Sequence, residues 1–246
     1  MRNDPVAAAS VLLVRRFPSA AIAFLAGSVF RGEQTATSDL DIVVVFDRLP
    51  NAYRESLVWD EWPVELFVHD RETLEYFCEE DCRRDGVPSL PAMVSEGIAL
   101  PGPSDLSKEL KAYADNLIAA GPKPWGEREI NDSRYAITDL VEDMKAPRSL
   151  DELHACATRL YSLVADHYLR SRQLWSARGK SIPRQLDRVS PTLGHTFREA
   201  FREVFEKGIP DRVFALCEEV LAPSGGWLFA GYVIQAPPDW RSRKPS

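Results

Sequence analysis

The chain has 246 residues, 45% hydrophobic and 27% charged, with a net charge of −7. That composition suits one large or two small folded domains, and the acidic balance argues against a dedicated nucleic-acid-binding surface, which needs a basic face. No apolar run reaches the roughly 18 residues of a membrane span, and Met1-Arg2-Asn3-Asp4-Pro5 lacks the basic head and apolar core of a secretory signal, so no membrane association and a cytoplasmic location are expected.

A first helix is expected over about residues 4–17, with Asp4 as N-cap and Pro5 at its first position. Residues 20–26 read as a buried strand. Gly27 and Ser28 then form a tight turn, where glycine lets the backbone come close to a ligand. The residues after it can open a short helix whose first amides point at an anion. Residues 39–46 form a second buried strand, which Asp39 and Asp41 open. Alternate residues of a strand face the same way, so these two carboxylates stand side by side. Residues 62–68 read as a third strand, with Glu65 alone among apolar neighbours. Helices are expected over 72–84 and 90–96, then a short strand at 98–100. Pro101-Gly102-Pro103 ends this α+β domain, assigned to residues 1–103.

Residues 104–246 change character and are assigned to a second, helical domain. Helices are expected at about 105–119, 127–145, 149–175, 195–207 and 211–221, with a solvated tail at 241–246. Leu150, Leu153, Ala157, Leu160 and Val164 recur at helical spacing and should face a bundle core. The four cysteines, Cys78, Cys82, Cys156 and Cys217, read as reduced thiols. Cys78 and Cys82 share a helix face, but His69 is their only nearby companion, so a zinc site is not expected.

Two like charges as close as Asp39 and Asp41 repel unless a cation lies between them. Mg²⁺ suits the pair, because it takes hard oxygen ligands and shares them with substrate phosphates. Glu65 is a third ligand candidate, since a buried carboxylate is costly unless paired or metal-bound. The plainer readings are two solvated acids at a strand entry, and a Glu65 that faces water or pairs with an arginine. On the helix over 127–145, Asp139 and Asp143 lie on the face opposite Ile137, Leu140, Val141 and Met144, and either could serve as general base. A solvated helix face balanced by Arg134 is the alternative. Lys180 and Arg184, in a region made basic by Arg170, Arg172 and Arg178, are candidates for phosphate contact.

The run Gly27-Ser28-Val29-Phe30-Arg31-Gly32, then Ser38-Asp39-Leu40-Asp41, then Glu65, resembles the nucleotidyltransferase superfamily of polymerase beta, the minimal nucleotidyltransferases and the aminoglycoside nucleotidyltransferases. The resemblance covers about residues 20–70. It implies that Gly27, Ser28, Arg31 and Ser38 help seat the nucleotide, that Asp39 and Asp41 hold two Mg²⁺ ions, and that Glu65 either completes the metal site or activates the acceptor. ATP is the expected donor, AMP the transferred group, and a hydroxyl-bearing small molecule such as an aminoglycoside the acceptor. A sheet followed by a helical bundle also resembles the larger members, in which nucleotide and acceptor lie between the domains and a helical-domain acid can be the base. Residues 179–184 resemble a Gly-Lys-Trp-x-x-Arg segment of that class, with Ser181 in place of the aromatic. Some relatives complete their sites across a subunit interface, which leaves room for a homodimer. Two other readings stay open: a nucleotidyltransferase that modifies a toxin protein, and a non-catalytic nucleotide-binding module.

Overall fold

The structure is a computed structural model that describes residues 4–27 and 38–236. It divides into two compact units, Met1–Lys123 and Pro124–Ser246.

The first unit is built on a five-stranded mixed sheet. Helix α1 (Pro5–Arg16) begins where the sequence places it, with the Asp4 carboxylate accepting the Ala7 amide at 2.8 Å. Strands β1 (Ile22–Ala26), β2 (Leu40–Phe46), β3 (Tyr53–Trp59), β4 (Trp62–Asp70) and β5 (Ile98–Leu100) lie in the order β3-β4-β2-β1-β5. The β2–β4 pair is parallel and the others are antiparallel. Along β2, Leu40, Ile42 and Val44 pack with Ala8, Ala9 and Leu12 of α1 and with Val64, Leu66 and Val68 of β4. Val43 and Val45 alternate to the opposite face and are also buried. Burial on both faces is why this strand reads as a nearly unbroken apolar run.

Strand β4 leads directly into α2 (Arg71–Tyr76). The Asp70 carboxylate accepts the amide and hydroxyl of Thr73 and the amide of Leu49. These bonds favour its charged form and hold its pKa below the ordinary value. The helix continues through a π-helical turn (Phe77–Cys82) into α3 (Arg83–Asp85) and stops at Gly86, whose φ is 75°. Helix α4 (Ser89–Glu96) follows, then β5.

Strand β3 was not among the expected elements. It is an edge strand with exposed Arg54, Ser56 and Val58 on one side and half-buried Glu55, Leu57 and Trp59 on the other. Only part of one face meets the core, so its apolar alternation is faint. Its turn into β4 uses Asp60 and Glu61 at positive φ (51° and 65°), without the glycine that usually announces such a hairpin.

The division at Lys123/Pro124 falls one helix beyond the expected break at 103/104. Helix α5 (Asp105–Ala120) packs on α4: Lys111 Nζ donates to the carbonyls of Ser95 (2.9 Å) and Gly97 (2.7 Å), and Ser95 Oγ donates to Asp115 (2.5 Å). Leu110, Ala114 and Leu117 are buried. The Pro-Gly-Pro break therefore marks a bend within the unit.

The second unit contains α6 (Glu127–Lys145), α7 (Leu150–Arg170), α8 (Ile182–Val189), α9 (Pro191–Lys207) and α10 (Asp211–Leu221). Leu153, Ala157, Leu160 and Val164 face a core shared with Ile137, Val141, Phe197, Phe201 and Leu216, as their spacing predicts, whereas Leu150, the first residue of α7, is exposed because it stands at the helix end beyond that core. Helix α7 stops at Arg170 rather than near 175, because the chain turns through Gln173 at φ 56°. Helix α8 was not foreseen; it is short and lies between Pro183 at its start and Ser190 at its end. Helix α9 starts at Pro191 rather than 195, with the Ser190 hydroxyl accepting the Leu193 amide. Gly194 therefore sits inside α9, where a Cβ would come within 2.2 Å of Asp187 Oδ1, and α8 can approach closely. The chain after α10 runs back along α6: Arg134 donates to the carbonyls of Gly225 (2.7 Å) and Gly226 (2.8 Å), and Tyr232 stacks on Tyr135 at 4.1 Å. The tail at 241–246 lies outside the described residues.

Each unit buries one neutral histidine. His69 is edge-on to Phe77, and burial lowers its pKa to about 4 despite the opposing pull of Asp70. His167 lies between the hydroxyls of Ser133 (3.0 Å) and Ser224 (3.1 Å); burial, with Arg172 and Arg134 nearby, lowers its pKa to about 4. Between pH 6.5 and 4 the unfolded chain binds more protons at these sites than the folded one, so stability falls as pH falls through that window. Urea unfolding at pH 7.5 and pH 5.0 is expected to show a loss of about 1–2 kcal/mol per histidine at the lower pH. His167→Gln should remove its share of that slope. Equal stability at both pH values would contradict neutral burial of both rings.

Candidate metal centre

The β2–β4 register positions the site. Asp41 pairs with Glu65 across the parallel ladder, and Asp41 pairs with Ala26 on its other side. Partners in register project to the same face. Asp39 precedes β2 by one residue and keeps the parity of Asp41. Ligand oxygens of Asp39, Asp41 and Glu65 all lie within 4.8 Å of one another, the one such group of three metal-ligating side chains among the described residues. All three residues are half-buried, so they can be reached from solvent yet are held by the sheet.

Gly27 closes the same corner. It follows Ala26 at the end of β1 with φ 107°, a conformation that disfavours any residue with a side chain. A Cβ there would stand 3.2 Å from Asp41 Oδ2 and 3.4 Å from the Asp39 carbonyl. Glycine thus lets the β1 turn pass against the carboxylates. Ser38 is buried beside them. Ser28 and Arg31, and the short helix expected after the turn, lie outside the described residues.

Glu65 combines two of its sequence readings. It joins the carboxylate group, and it also accepts a hydrogen bond from Arg54 Nη2 on β3. The Arg54 guanidinium lies 4.8 Å from the centroid of the Phe67 ring. Sequence reading missed Arg54 because β3 itself was missed; the signal available was one arginine opposite a lone strand glutamate.

The candidates from the helical unit are all solvent-exposed there. Asp139 and Asp143 lie on the outer side of α6, opposite buried Ile137, Leu140, Val141 and Met144. Arg134 is engaged by the backbone carbonyls after α10 and by Asn131, so it does not serve as the counter-charge of those acids. Lys180 is exposed in a 3₁₀ turn before α8, and Arg184 is exposed in the first turn of α8. Arg170 is buried against the Trp125 ring, and Arg172 stacks on Tyr168, so much of the local basic charge is used within the unit. The four cysteines are unbridged, and burial raises the pKa of Cys78 well above that of an ordinary thiol.

Residues 12–86 match the family model described as a nucleotidyltransferase domain, and this segment contains all three carboxylates, Gly27 and Arg54. A solved nucleotidyltransferase-like protein from Exiguobacterium sibiricum 255-15 aligns at 12% identity with a TM-score of 0.44, covering 90% of this chain and 76% of that one. No curated protein matches the chain. No helix of the described residues is long and apolar enough to cross a membrane.

Proposed function

We propose, from the premise that the chain carries a nucleotidyltransferase domain, that it transfers a nucleoside monophosphate, AMP from ATP, to a hydroxyl group of a small acceptor. Nucleotidyl transfer in general is the reaction class that the family match supports. The observation that supports metal-assisted transfer is the convergence of Asp39, Asp41 and Glu65 beside a glycine turn. Three hard oxygen donors at this spacing fit Mg²⁺, with room left for triphosphate oxygens to complete the shell. Bound there, Mg²⁺ would neutralise triphosphate charge and stabilise the attacking and leaving oxygens.

The chain's own residues supply the rest. Gly27 lets the β1 turn come close to the phosphates. The acceptor oxygen bonds to the α-phosphorus as the bond to the β-phosphate oxygen breaks, and pyrophosphate leaves. The acceptor proton passes to a carboxylate, for which Glu65, Asp139 and Asp143 are the candidates. Lys180 and Arg184 are the proposed cationic contacts for the triphosphate.

Thermal unfolding with ATP, GTP, CTP and UTP, each with and without Mg²⁺, tests this reading. A ligand present at about 100 times its Kd should stabilise the protein by about 2.7 kcal/mol. The expected result is a rise in the midpoint with ATP that requires Mg²⁺ and is lost in Asp39→Ala/Asp41→Ala. A rise with another nucleotide would reassign the donor, and no rise with any of them would contradict nucleotide binding and with it the proposal.

A further inference from the structure

We propose that Arg54 is the exchangeable counter-ion of the metal centre: it neutralises Glu65 until a divalent cation takes its place. This rests on the reading of Asp39, Asp41 and Glu65 as metal ligands. The geometry is that of a diagonal cross-strand pair. Arg54 faces Phe67 in the β3–β4 register while Ser56 faces Glu65, so Arg54 reaches the carboxylate two positions along the neighbouring strand.

Three carboxylates whose oxygens lie within 4.8 Å of one another repel strongly. The Arg54 guanidinium on Glu65 offsets part of that repulsion. A divalent cation offsets more of it and, unlike Arg54, can be shared by all three carboxylates. The exchange is therefore favourable, and the arginine sets its threshold.

Two features make Arg54 a counter-ion that can leave. Its side chain is 59% exposed, so release into water costs little, whereas a buried arginine would be trapped. Its guanidinium lies over Phe67, and a planar, weakly hydrated cation can stay against that ring after it gives up the carboxylate. Lysine would keep the charge but stack less well. Because β3 is an edge strand, the movement displaces no other strand. Arg54 acts through Glu65, so it is a positioning residue.

The test is the affinity of the full chain for Mn²⁺ alone, measured by titration calorimetry on wild type, Arg54→Ala, Arg54→Lys and Asp41→Asn. Losing a competing exposed ion pair should tighten Mn²⁺ binding in Arg54→Ala by about two- to fivefold. Arg54→Lys, which restores the charge, should return the affinity towards wild type. A purely structural ion pair would instead lower the unfolding midpoint of Arg54→Ala and leave Mn²⁺ affinity unchanged or weaker, which would overturn the proposal. If Asp41→Asn abolishes Mn²⁺ binding while Arg54→Ala does not alter it, the metal centre stands and only the exchange role falls. If wild type and Arg54→Ala both fail to bind Mn²⁺, the metal reading falls and the role of Arg54 with it.

Discussion

Asp41→Asn is expected to reduce nucleotide-dependent pyrophosphate release by about 10³-fold or more, the size of effect that several kcal/mol of lost transition-state stabilisation gives. Asp41 occupies the centre of the carboxylate group: its backbone pairs with both Ala26 and Glu65, and its Oδ2 faces the turn at Gly27. Asparagine keeps the shape and removes one anionic oxygen donor. The residue is half-buried at a strand entry and adds little to the core, so the fold should be kept. Removing one of three mutually repelling charges should leave the unfolding midpoint without added metal unchanged or slightly raised. Lost activity with an unfolded protein would make Asp41 structural, and retained activity would place the chemistry elsewhere.

The largest expected effect on stability is in the helical unit. Phe197→Ala should destabilise it by about 3–5 kcal/mol, the usual range for removing a buried aromatic side chain. Phe197 is 1% exposed and meets Tyr161 edge-on at 4.6 Å and Phe201 at 4.7 Å. Those three rings join α7 to α9, so the cavity would open where two helices meet and neither side could close over it easily. Denaturant unfolding followed by circular dichroism would show the shift. A loss below about 1 kcal/mol would mean that the ring cluster repacks, as well-chosen volume-conserving changes do.

The carboxylate cluster was legible in the sequence because its residues lie in two short segments with strict spacing. Asp39 and Asp41 had to share a face whatever else the chain did, and Glu65 stood out as an acid in an apolar strand. The parallel register that aligns Asp41 with Glu65 was not readable, since it depends on β4 inserting between β2 and β3. Strand β3 escaped because an edge strand half in water has no clear period, and Arg54 escaped with it. In the helical unit, bulk helices announced themselves through spacing such as Leu153, Ala157, Leu160 and Val164. Helix α8 is too short for that signal, and α9 begins before 195 because Pro191 occupies its first position and Gly194 admits Asp187. The compact units divide after α5 rather than at Pro101-Gly102-Pro103 because the hydrogen bonds of Lys111, which no local signal announces, tie α5 to α4.

The most direct measurement is anomalous scattering from crystals grown with Mn²⁺ and a non-hydrolysable ATP analogue. The expected result is Mn²⁺ density between the carboxylates of Asp39, Asp41 and Glu65, with triphosphate oxygens completing its shell and Arg54 no longer bonded to Glu65. Nucleotide bound with no Mn²⁺ at those carboxylates, or Mn²⁺ held by other residues, would contradict it.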